Sequence, residues 1–172
     1  GTTHIRVQLV GAGGGGSGHG ESGGAGGYSE KVINARSITT VSVTIGSGGN
    51  GTTYSGQGTN GGTSSFGSYL SATGGHGANK NGSHSGGVGG VGSGGTINLY
   101  GGGGGGHTSQ SSSPGPGSYF GGGAHSAHTN QASFPAGYES YAAPGCGGPG
   151  AYTTHTRGAN GKTGIVIVWE YA

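Results

Sequence analysis

His4-Ile5-Arg6-Val7-Gln8-Leu9-Val10 runs directly into Gly11-Ala12-Gly13-Gly14-Gly15-Gly16. The first seven residues alternate, with Ile5, Val7 and Leu9 on one side, which is the period of a half-buried strand. The six that follow match G-x-G-x-x-G, and Glu30 stands at nearly the distance expected of a ribose-binding acid, so the stretch has the outline of a dinucleotide loop. That loop needs an α-helix next, because the pyrophosphate sits on the helix N-terminus. Ser17-Gly18-His19-Gly20-Glu21-Ser22-Gly23-Gly24 cannot supply one, since glycine disfavours a helix interior by about 1 kcal/mol per residue. The glycines therefore need a different structural role.

Glycine fills 51 of the 172 positions and hydrophobic residues only 27%, so a side-chain core cannot run through the whole molecule. Disorder is the first alternative, but charged residues are only 6% of the chain, whereas disordered solvating chains are rich in Glu and Lys. An extended threefold helix resolves the conflict. A polyproline-II chain makes three residues per turn, has no internal hydrogen bonds and points its N–H and C=O groups outward. Without side chains, several such chains approach closely and pair those groups with one another. The runs Gly13 to Gly16, Gly23 to Gly27, Gly86 to Gly90 and Gly101 to Gly106 are predicted to form the interior of such a bundle, with Ser, Asn and His at turns and outside. Ordering glycine is entropically expensive, so a β-rich base is needed to clamp it.

That base comes from four apolar segments: 4–10, 29–35, 39–45 and 164–171. In the third, Val41, Val43 and Ile45 share a face that is expected to be inward. Ile165 to Val168 is apolar on both faces, as in a central strand or one buried against a neighbouring chain, and the first and last segments are expected to pair. A modest apolar segment, Thr96 to Tyr100, interrupts the glycine-rich stretch, and Phe66, Tyr69 and Leu70 read as packing residues. The fold class is thus mostly β and irregular, in one domain over 1–172: a small sheet or sandwich base, packed polyglycine-II helices and long surface loops over 46–163, with no α-helix.

Several sequence features exclude whole classes of function. A net charge of +2 from scattered Lys and Arg offers no stripe for phosphates, which argues against nucleic acid, and no apolar run is long enough to insert in a membrane. Gly161-Lys162-Thr163 has the end of a phosphate loop, but Thr156 stands where that motif needs Gly and a strand follows, so it is read as a turn. The lone Cys146 forms no internal disulfide. Of eight histidines, His125 and His128 are the tightest pair. The others, His19 and His84 among them, lack ligand-like spacing, so the reading is solvated loop histidine with no metal or other cofactor. Four glutamates and no Asp leave little for paired-carboxylate or triad chemistry, and the chain is read as a non-enzyme. Asn50-Gly51-Thr52 and Asn81-Gly82-Ser83 fit the glycosylation sequon, yet Asn-Gly is equally a turn.

All five prolines and six of the aromatic residues fall between Ser113 and Thr154. Proline-stiffened loops with Tyr, His, Ser and Asn have the chemistry of recognition surfaces. The side chains expected to meet a partner are Tyr119, Phe120, His125, His128, Phe134, Tyr138, Tyr141 and Tyr152. The alternative role for the aromatic residues is to cap the glycine bundle.

Ile5 to Gly16, then Gly26-Gly27-Tyr28-Ser29-Glu30, Val41 to Gly49, Thr63 to Gly67, and the ending Gly158 to Tyr171, resemble the glycine-rich C-terminal domain of tailed-bacteriophage tail fibres. The resemblance covers both ends and the first 70 or so positions. It implies a receptor-binding tip at the virion's tail fibre, acting outside the cell, with packed polyglycine-II helices and variable distal loops. It further implies a bacterial surface receptor, protein or glycan, and a homotrimer or attachment to a trimeric fibre. Two other families are similar: the glycine-rich ectodomain of certain receptor tyrosine kinases, which has paired cysteines absent here, and glycine-rich antifreeze proteins, which have a strict three-residue repeat absent here.

Overall fold

The computed structural model describes residues 1–53, 56–79, 84–106, 112–125, 142–152 and 157–172. Two four-stranded antiparallel sheets form a sandwich, and no α-helix occurs among the described residues. In the first sheet, β1 (His4–Val10) lies between β2 (Tyr28–Asn34) and β8 (Ile165–Tyr171), and β7 (Ile97–Leu99) pairs with β2. The second sheet has the order β3 (Val43–Thr44), β4 (Ser64–Phe66), β5 (Leu70–Ala72) and β6 (Gly92–Ser93). Ile5, Val7 and Leu9 meet Ile33, Phe66, Leu70 and Ala72 between the sheets, where large apolar residues gather to exclude water.

Two strand expectations change. Of 39–45, only Val43 and Thr44 pair, at the edge of the second sheet rather than in a base shared with β1 and β8. Val43 and Ile45 are half exposed and only Val41 packs on the core, because among the described residues no strand lies beyond that edge to cover them. β8 pairs with β1 as expected but is an edge strand, not a central one. Val166 reaches the core, whereas Val168 and Trp169 are partly exposed. Alternation alone cannot tell a covered face from one at a sheet margin.

The glycine runs pack as threefold helices. Residues 11–16 make the pattern plain. The amides of Gly11 and Gly14 donate to Gly27 and Gly24, those of Ala12 and Gly15 to Gly62 and Thr59, and those of Gly13 and Gly16 to Lys162 and Ala159. Each successive residue thus addresses a new neighbour, and the cycle repeats every three, as a polyglycine-II helix dictates. The carbonyls behave likewise: Ala12 and Gly15 accept from Gly75 and Ala78, Gly13 and Gly16 from Gly49 and Thr52, and Gly14 from Gly148. Donors reach antiparallel neighbours and acceptors reach parallel ones, so the run is surrounded on six sides. None of its glycines has a positive φ. They are present for want of a Cβ, since one built on Gly13, Gly14, Gly15 or Gly16 would lie 1.8–2.1 Å from a carbonyl oxygen of a neighbouring run.

The interior is not the one expected throughout. Residues 11–16 and 22–27 are buried, but 101–106 lie at the margin of the bundle. Their place inside is taken by 145–150, including Cys146 and Pro149, which the sequence reading puts in a recognition loop. Gly161 and Lys162 are likewise part of a helical run, donating to Gly49 and Cys146, and not a turn.

The first sheet's outer face holds a polar network. Arg6 Nε donates to Glu30 Oε1 at 2.7 Å, Gln8 Nε2 donates to the Tyr28 hydroxyl at 2.9 Å, and Tyr28 donates to Glu30 Oε2. Hydrogen bonds first from Arg6 and then from Tyr28 hold the Glu30 carboxyl down to about 2. Burial, followed by the bond to Glu30, pushes the Tyr28 phenol well up. A carboxyl lowered by folding stabilises the fold above its unfolded value, and that contribution is lost as pH falls through the folded one. Stability should therefore fall between about pH 4.5 and 2. Glu30→Gln should flatten this acid limb in melts taken across that range, and an unchanged limb would show that the network is energetically silent.

Candidate functional site

The helical runs form out-and-back pairs: 11–16 with 22–27, 46–52 with 58–62, 73–78 with 86–91, 101–106 with 113–117, and 145–150 with 158–163. The runs 49–52, 75–78 and 148–151 are parallel to 11–16, and 101–105 is antiparallel to 22–25, so all five pairs reverse at the same end, away from the sandwich. That end is held together mainly by backbone bridges, Thr53 with Arg157, His19 with Tyr152 and Asn79 with Ser85, and Gln57 Nε2 donates to Asn79 Oδ1 at 2.9 Å.

At its centre is Glu21, whose side chain is wholly buried. The turn that carries it begins where the first run ends, and Gly20, at φ 114°, supplies the left-handed residue the reversal needs. The Ser17 hydroxyl donates to Glu21 Oε2 and accepts from the amides of His19 and Glu21. His19 Nδ1 and His84 Nδ1 each lie 3.2 Å from Glu21 Oε1. The two imidazoles stack at 4.8 Å, and the Tyr152 ring meets His19 edge-on at 5.8 Å. Burial alone would raise the Glu21 carboxyl. Hydrogen bonds from Ser17, its own backbone amide, His84 and His19 outweigh that and leave it below the usual range. His19 is 8% exposed, so the reading of it as a solvated loop residue is corrected: the turn folds its ring inward against Glu21 and Tyr152. The sequence gives no hint of this cluster, because His84 lies 63 residues from Glu21.

Those expected contact residues that the structure describes do not form one surface. Tyr119 and Phe120 sit at the sandwich end, where the Tyr119 ring stacks on buried Tyr28 at 3.6 Å and Phe120 meets it edge-on at 5.9 Å. That is the packing role weighed as the alternative, although Tyr119 remains half exposed. Tyr152 lies at the opposite, reversing end, and His125 is exposed. His128, Phe134, Tyr138 and Tyr141 lie outside the described residues. Among the described residues, the Glu21 oxygens are occupied by Ser17 and the two histidines. The lone Cys146 is buried, its Sγ 3.2 Å from the Gly122 carbonyl.

No curated protein sequence matches the chain. A family model described as a glycine-rich domain matches residues 1–171. The match spans nearly the whole chain, and the chain belongs to this glycine-rich domain family.

Proposed function

We propose that the chain is the receptor-binding tip of a tailed-bacteriophage tail fibre, a non-enzymatic adhesin that recognises a protein or glycan on the bacterial surface. The observation that carries this reading is the common reversing end. Five helical pairs are clamped at one end by the sandwich, and their runs all reach the other end, so one stiff scaffold holds the starts and ends of five connections side by side. Rigid presentation of Tyr, His, Asn and Gln lowers the ordering cost of binding. The first sheet offers the complementary feature, an outer face on which Val32, Ile97, Trp169 and Tyr171 are about half exposed. A face that sets these apolar side chains beside the Arg6–Glu30 pair suits attachment to a trimeric fibre.

Binding of the purified chain to a panel of intact bacterial strains tests the reading. The wild type is expected to bind selected strains, and a variant carrying Gln57→Ala, Asn79→Ala and Tyr152→Ala to lose that binding at least tenfold while still melting cooperatively. A variant of the sheet face, Val32→Thr with Ile97→Thr, should retain it. Binding to no strain, or loss only in the sheet-face variant, overturns the proposal.

A further inference from the structure

The cluster at the reversing end has a second possible chemistry, independent of what that end recognises. Its central carboxylate is buried, and a buried charge persists only with a partner of opposite sign. Among the described residues, no Lys or Arg lies within ion-pair distance of Glu21, and only the two histidines face it as bases. Their ligand atoms and that of the glutamate lie within 4.8 Å of one another. We propose that His19, Glu21 and His84 form a site for one divalent first-row transition-metal ion of the Zn²⁺ type, which ties the 17–21 turn to the chain at His84.

Four observations support the site. Two imidazoles and one carboxylate are the donor set of known three-ligand zinc centres, with the fourth position free. The 3.2 Å separation of His19 Nδ1 from Glu21 Oε1 is close to the edge of a tetrahedron built on bonds of about 2.0–2.1 Å, which is about 3.3 Å. The Ser17 hydroxyl holds Oε2, which fixes the carboxylate and leaves Oε1 towards the histidines, as outer partners of metal ligands do. Lastly, His84 is the one non-glycine residue with a positive φ among the described residues, at 45°. A histidine held in the left-handed region is a local cost, and such outliers gather where geometry serves a function. Here that backbone brings the imidazole to Glu21.

The site is also reachable. The His84 side chain is 44% exposed, whereas those of His19 and Glu21 are 10% and 0% exposed, so an ion enters past His84. An ion lies in the plane of each imidazole that binds it, and the two rings stand nearly parallel, at 15°. His84, the ring with room, therefore turns about its Cβ–Cγ bond as the ion enters.

The test is calorimetric titration of chelator-treated protein with ZnCl₂ near pH 7, paired with melting in Zn²⁺ or EDTA. One ion per chain and a Tm raised by several degrees are expected, with Mg²⁺ giving neither. His84→Ala should weaken binding by at least ~100-fold, more than loss of an outer partner does. It should also remove the Tm response and abolish the visible absorption of a Co²⁺-loaded sample. Glu21→Gln should do the same. Because Glu21 is buried and its variant can fail to fold, the half-exposed His84 carries the decision. His76→Ala, at an exposed histidine outside the cluster, should bind as the wild type does. No heat with Zn²⁺, or binding that survives His84→Ala, overturns the site.

Discussion

Gly15→Ala is expected to destabilise the protein by about 3 kcal/mol or more, the upper end of what overpacking costs in ordinary interiors. The added methyl would lie 2.0 Å from the Asn50 carbonyl oxygen and 2.3 Å from its carbon. Both are backbone atoms, so no side chain can swing aside. Gly15 also donates to Thr59 and accepts from Ala78, so pushing its run away from Asn50 strains contacts with other neighbours at once. In a melt this should appear as a Tm lowered by about 6–12 °C. Gly122→Ala is the control: no atom lies within 4 Å of the added Cβ. It should change stability by less than about 0.5 kcal/mol, or raise it slightly by restricting the unfolded chain. Equal effects at the two positions would mean that the glycines serve flexibility and not close approach.

Phe66→Ala should cost about 3–5 kcal/mol, as truncating a buried aromatic ring does elsewhere. Phe66 is 5% exposed and carries β4 against Ile5, Val7 and Leu9 across the sandwich. The more informative result lies outside the sheets. The glycine runs bury almost no large side chains, and each ordered glycine costs roughly 0.5–1 kcal/mol more than alanine. They should therefore lose their order together with the base. Hydrogen exchange at the amides of Gly13 to Gly16 should accelerate in the variant as much as exchange at Leu9. If the glycine amides stayed protected while Leu9 was exposed, the bundle would be stable alone and the clamp would be unnecessary.

The strands with alternating large residues were readable because alternation reports the chain's own geometry. The pairing of β1 with β8, the Phe66 and Leu70 packing and the threefold glycine runs all follow from composition and period. Position within an assembly is another matter. The same Val and Ile pattern serves a covered strand at β1 and an edge at β8, and only the partner sheet distinguishes them. The glycine runs hide their partners more completely, since Gly13-Gly14-Gly15-Gly16 and Gly103-Gly104-Gly105-Gly106 are identical letters. One is enclosed and the other lies at the margin, because topology and not side chains decides who packs on whom. The candidate site was the least legible part. A histidine two residues from a glutamate is unremarkable in sequence, and the second histidine comes from a different hairpin of helices.

The six-sided enclosure of residues 11–16 also separates two kinds of heredity. The enclosed runs accept almost no new side chain, while each chain reversal begins and ends on rods whose spacing the backbone alone maintains. Length and chemistry between those anchor points are thus uncoupled from what keeps the anchors in place. Recombination that replaces one such connection leaves the others at their original separation, so a lineage can redraw the reversing end one segment at a time over a foundation that never has to be rebuilt.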